Sequence, residues 1–214
     1  MKIKQHYSPN SIRFEFIYDG RDIWNQFMKS KRISKYFRQI FFDPNFNSWV
    51  EMLWKDLGAD CTLQEYKERV IEAISVNLFD SSIMICREHL SLALEDVVCY
   101  CICNNMVTEN GTSFMVLTDG ESRALLDNKK IDKAFSSIIH EEEIVQSLNE
   151  IGKLSKSSDL KYRLLDGILK YSYYNACAMM FSDFSLSLEK AICKSMDKEV
   201  ILGWINQIKE NLFE

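Results

Sequence analysis

The sequence predicts a mainly α protein: one helical domain over 1–214, with about seven to nine helices, an N-terminal β-hairpin and a second small hairpin near 106–117. Three observations point there. Only 7 Gly and 2 Pro interrupt 214 residues, so turn chemistry is sparse and helices joined by short polar loops are favoured. From Asp22 onward apolar residues recur mostly at helical spacing. With 47% hydrophobic and 27% charged residues, the chain has enough apolar surface to offset the entropy of ordering, which excludes a disordered polypeptide.

Taken in order, "KIKQHYSPNSIRFEFIY" gives two short strands around Ser8-Pro9-Asn10-Ser11, with Ile12, Phe14 and Phe16 alternating against Arg13 and Glu15. Asp19-Gly20 ends the second strand. Asp22 is then placed to cap a helix whose apolar positions are Ile23, Phe27, Ile33, Phe37 and Ile40, and Asp43-Pro44 terminates it. A short helix follows over 47–57, stopped by Gly58. Thr62-Leu63-Gln64-Glu65 is a capping box opening a helix with the stripe Leu63, Tyr66, Val70, Ile74 and Leu78. The next stretch becomes apolar on nearly every side from Val97 to Cys103, which marks the most enclosed element; its last part suits a buried strand equally well, because periodicity does not separate the two in a short run. Asn110-Gly111 signals the second hairpin, since both residues tolerate positive φ. Helices are expected over about 130–139, 141–153, 159–181, 186–195 and 197–212, and "LSKSSD" at 154–159 is the one candidate linker.

The N-terminus has no apolar stretch of the signal-peptide kind, and no run approaches the roughly 18 apolar residues of a membrane span. Seven cysteines, an odd number in a chain of this size, fit free thiols in a reducing compartment, so a cytoplasmic location is expected. Cys99, Cys101 and Cys103 follow a C-x-C-x-C pattern, which lacks the spacing and the second ligand pair of structural zinc sites; buried thiols are the expectation, with no metal and no cofactor. His89 and His140 have no second histidine at metal-binding spacing, and the acids after His140 suit a helix N-terminus. Glycine-rich phosphate loops, a nucleophile elbow and a calcium loop are absent, which removes the nucleotide-dependent and hydrolytic families that carry local motifs. No catalytic residue is assigned.

Charge is the informative feature. Lys29, Lys31, Arg32, Lys35 and Arg38 place +5 within 28–42 of a chain whose net charge is −5, so the remainder carries −10. Ile33, Tyr36, Phe37, Ile40 and Phe41 take the opposite face, giving an amphipathic helix with a basic wet side. From Glu95 to Glu150 eleven acids face four bases, including Glu141, Glu142 and Glu143. The basic face therefore admits three readings: a solvated face or a match to the chain's own acids, a protein partner, or phosphate of nucleic acid or lipid. Trp49 and Trp54 lie five apart on one short helix and do not closely share a face, so one of them is open to exposure as a protein-binding anchor, a core or loop-covering role being the commoner alternative.

These observations favour a non-catalytic cytosolic protein-binding module. A toxin-neutralising (immunity) or defence-related regulator, whose acidic part occludes a partner, is its specific form. The alternatives are a nucleic-acid-binding protein or enzyme acting through 29–38, and a pathogen-encoded effector that binds a host protein.

Overall fold

A computed structural model describes residues 2–8, 11–104, 117–154 and 159–213. Its strands are β1 (Lys2–Ser8) and β2 (Ser11–Ile17), antiparallel and in register from Lys2 opposite Ile17 to Ser8 opposite Ser11. Everything else regular is helical, with eleven α-helices among the described residues: α1 (Gly20–Lys29), α2 (Lys31–Phe41), α3 (Pro44–Asp56), α4 (Leu63–Glu88), α5 (Leu94–Cys103), α6 (Asp119–Ala124), α7 (Lys129–Ile139), α8 (Glu142–Leu154), α9 (Leu160–Ser182), α10 (Leu188–Ser195) and α11 (Lys198–Phe213). The mainly helical architecture with its N-terminal hairpin is as the sequence predicts. The hairpin expected near 106–117 and most of the 154–159 linker lie outside the described residues. Packing divides the chain into two compact units, one drawn from Tyr18–Ser113 and Phe181–Ser187, the other from Lys2–Ile17, Phe114–Met180 and Leu188–Glu214.

In the first unit, the long helix expected after Asp22 is two helices. Asp19, not Asp22, caps α1, its carboxylate accepting from the Arg21 amide at 2.8 Å; Asp22 sits in the first turn. Ser30 then interrupts the track in an extended conformation (φ −75°, ψ 120°) and caps α2 through the Ile33 amide. This interruption and the short α6 raise the helix number above the seven to nine expected. Asp43 caps α3, whose first turn holds Pro44, so this helix begins three residues before the predicted Asn47; Gly58, at φ +56°, follows its end.

The Thr62–Glu65 capping box forms as read and starts α4. Val97–Cys103 resolves as helix, with Val97, Val98, Cys99, Cys101 and Ile102 buried while Tyr100 and Cys103 face solvent. The enclosure is therefore less complete than the composition suggested. Segment Phe181–Ser187 returns to this unit: Ser187 bridges Ala93, and the Glu95 amide donates to the Phe184 carbonyl at 2.7 Å. Ile23, Phe27, Ile33 and Phe37 are fully buried, and Phe27 meets the rings of Phe37 and Phe184.

The second unit is built on α9. Phe14 and Phe16 alternate inward from β2 onto Tyr174, both at 4.9 Å between ring centroids, and Tyr171 stacks on Trp204 of α11 at 5.1 Å. Gly167 makes that approach feasible: a Cβ there would lie 2.8 Å from the Trp204 ring. No helix among the described residues is long and apolar enough to cross a membrane.

Candidate functional site

The geometry of α2 follows from its cap. Once Ser30 fixes the start, Ile33 and Phe37 turn inward, and Lys31, Lys35 and Arg38 fall on the opposite side at spacings of four and three. Phe42, the C-cap residue, retains αR geometry and extends the same track by four more positions; at 79% it is the most exposed large apolar side chain among the described residues. One straight stripe thus reads Lys31, Lys35, Arg38, Phe42. Lys29, in the last turn of α1, is exposed beside it.

Of the five cations, Arg32 alone is drawn into the protein's own charge balance among the described residues. It meets Asp96 of α5 at 2.5 Å, and this hydrogen bond raises the affinity of its guanidinium for its proton. Lys29, Lys31, Lys35 and Arg38 reach no carboxylate among the described residues. The helix carries no acid in its first turn, where Lys31 and Arg32 oppose the positive end of the dipole. Lys31 and Lys35, four apart, repel each other.

Helix α3, next along the chain, exposes apolar side chains of its own. Phe46 contacts Phe41 and Trp49 at centroid distances of 5.2 and 6.1 Å, Val50 is buried, and Trp49, Met52 and, just past the end, Leu57 remain exposed. Trp54 is half-buried, and its indole N–H donates to the Cys61 carbonyl at 2.8 Å, tying down the loop before α4. The two tryptophans thus divide into an anchor for the chain's own loop and an outward-facing one.

Glu141, Glu142 and Glu143 lie in the other unit at the start of α8. Glu143 binds Lys198 of α11 at 2.7 Å, and Glu142 accepts from Gln146 at 3.1 Å. Further along the acidic stretch, Glu150 pairs with Lys209 and Asp119 with Lys170, which holds the Asp119 carboxyl below its usual range. Three of the eleven acids of 95–150, Asp119, Glu143 and Glu150, are thereby met by the chain's own lysines. Nothing local in the sequence identifies these partners, because each lies more than fifty residues away.

Other chemistry-bearing residues have structural settings. Ser122 is buried and donates to Asp166, which with Lys170 and Asp119 ties α6 to α9. His89 and His140 are the C-cap residues of α4 and α7, in different units; His140 Nδ1 lies 2.6 Å from the Ser136 carbonyl. The Cys101 thiol meets the Ser82 hydroxyl, and burial pushes the Cys86 and Cys99 thiols up to about 12 and about 11. No group of three or more His, Cys, Asp or Glu among the described residues has metal-holding geometry. A shallow notch of about 290 Å³ between α1 and α4 is lined by Arg21, Trp24, Asn25, Glu68, Ile71 and Glu72, with Arg21 bound by Glu72 at 3.0 Å.

No protein-family model, curated protein or solved structure matches this chain.

Proposed function

We propose that this chain is a non-catalytic protein-binding module that acts in the cytoplasm by covering a partner's surface with the face formed by α2 and α3. One observation carries the reading: Phe42, Trp49, Met52 and Leu57 are exposed within a short stretch that follows Lys31, Lys35 and Arg38, which meet no carboxylate among the described residues. Burying a large apolar side chain is worth about 1.5–3 kcal/mol, so a partner that covered three of these would gain several kcal/mol before its ordering entropy is counted. Tryptophan and arginine are also the residues over-represented where interfaces concentrate their energy. Free thiols suit the reducing compartment assigned.

The toxin-neutralising form of this reading, in which the acids of 95–150 occlude a basic active site, has weaker support. Asp96, Asp119, Glu143 and Glu150 already hold cations of this chain. A regulator that binds through α2 and α3 accords better with the geometry.

Affinity capture from native extract tests the proposal, comparing the wild-type chain with Phe42→Ser/Trp49→Ala. A stoichiometric companion held by the first and lost by the second, with unchanged circular dichroism, supports it. A companion retained equally by both removes the α2–α3 face from consideration. The stripe of unpaired cations favours a second reading, nucleic-acid binding. It predicts salt-steep affinity for short DNA or RNA that disappears in Lys31→Gln/Lys35→Gln/Arg38→Gln.

A further inference from the structure

We infer that the segment received by α2 and α3 is an acidic amphipathic helix, an inference that rests on the protein-binding reading above and adds the chemistry of the partner. Three features of the face select this occupant.

The first is charge. Helix α2 contains no acid, carries two cations in the turn where the helix dipole disfavours them, and sets Lys31 and Lys35 where like charges repel. Arg32 already has Asp96, and a ligand bearing carboxylates relieves both the placement of Lys31 and its repulsion from Lys35. The rest of the chain carries a net negative charge, so its overall field does not draw an acidic partner elsewhere.

The second is shape. Lys31, Lys35, Arg38 and Phe42 keep a helical track of twelve residues, whose eleven steps span roughly 16 Å at the helical rise. A partner helix with carboxylates at i, i+4 and i+7 matches that spacing, and the ridges of one helix seat in the grooves of the other. A peptide that binds by adding a strand would need a free sheet edge, which α2 and α3 do not provide.

The third is the apolar end. Phe42, Trp49 and Met52 call for apolar anchors on the ligand. Nucleic acid uses aromatic rings for stacking but gains little from an exposed methionine beside them. The expected ligand therefore carries leucine or phenylalanine on one side and glutamate or aspartate along its flank.

The test uses the full chain and a fluorescent synthetic peptide of about 20 residues, long enough for helix formation. It has leucine and phenylalanine at i, i+4 and i+7 with glutamates flanking them. Controls are the same peptide with every glutamate replaced by lysine, and a single-stranded oligonucleotide. The acidic peptide is expected to bind with an affinity that falls as salt rises, and Lys31→Gln/Lys35→Gln/Arg38→Gln is expected to lower it roughly tenfold or more and flatten the salt dependence. Trp49→Ala/Met52→Ala should weaken binding while keeping the slope. Equal binding of the lysine peptide, tighter binding of the oligonucleotide, or no binding of the acidic peptide would each overturn the acidic-helix assignment. Its failure is separable from failure of the reading beneath it. If both peptides bind equally and Trp49→Ala/Met52→Ala abolishes both, the protein-binding face stands without its charge preference; if that variant alters no peptide's affinity, the face itself is lost.

Discussion

Cys86 and Cys99 lie in the apolar packing of α4 and α5, where a thiolate would have to form without water, and their thiols are held up to about 12 and about 11. Nucleophilicity belongs to the thiolate, so access and ionisation act in the same direction. At mildly alkaline pH, native protein treated with iodoacetamide should label Cys103, which is exposed, while Cys86, Cys99 and Cys101 react only after denaturant is added. Mass mapping of the alkylated peptides reads this directly, and early labelling of Cys86 would contradict the packing. The sequence already read Cys99, Cys101 and Cys103 as buried thiols, and Cys99 and Cys101 are buried while Cys103 is exposed. It was equally informative about the tryptophans, since five positions on a helix rotate a side chain through more than one turn. What it lacked was the Cys61 carbonyl that turns Trp54 inward, a contact made through a loop.

At the scale of an element, Ser30 decides how the basic face is presented. Its hydroxyl caps α2 through the Ile33 amide and also donates to a Glu95 carboxylate oxygen, while the first turn of α2 offers no acid to share the role. Ser30→Ala should therefore cost about 1–2 kcal/mol, the upper part of the range for lost N-caps, read as a lower urea midpoint. Close helix approach supplies a second test. A Cβ on Gly20 would stand 3.0 Å from both the Glu72 carbonyl oxygen and the Glu72 Cβ, and one on Gly167 would stand 2.8 Å from the Trp204 ring. Alanine at either position should destabilise by about 1–3 kcal/mol despite its better helix propensity, and a gain in stability at Gly20 would show that α1 can shift on α4. The capping box at Thr62 was legible because all of its partners fall within four residues. Ser30 was not, since the apolar spacing of Ile23, Phe27, Ile33 and Phe37 runs across it nearly in phase and Glu95 is distant in sequence. The same locality explains why the terminal helices matched their expected spans closely, whereas the ion pairs joining α8 to α11 left no trace in either segment.

For the molecule as a whole, protons and charges set the stability profile. Cys86 and Cys99 keep their protons in the folded state at pH values where the unfolded chain releases them, so the folded state binds more protons and stability must fall as pH rises above the ordinary thiol range. Unfolding by urea should accordingly become easier between about pH 8.5 and pH 11, with each thiol contributing roughly 1–2 kcal/mol by pH 10. Cys86→Ala/Cys99→Ala should flatten that limb even though the cavities lower stability throughout. The basic stripe makes the opposite demand on the fold. Lys31, Lys35 and Arg38 engage no carboxylate among the described residues, repel one another along α2 and, in the case of Lys31, oppose the dipole at its start. If they are kept for contact with a partner rather than for folding, Lys31→Gln/Lys35→Gln/Arg38→Gln should unfold at an equal or slightly higher urea concentration than the wild type in low salt. That difference should shrink as added salt screens the repulsion. A clear loss of stability in the triple variant would instead mean that these cations serve the fold, and the α2–α3 face would lose its electrostatic reason to bind anything.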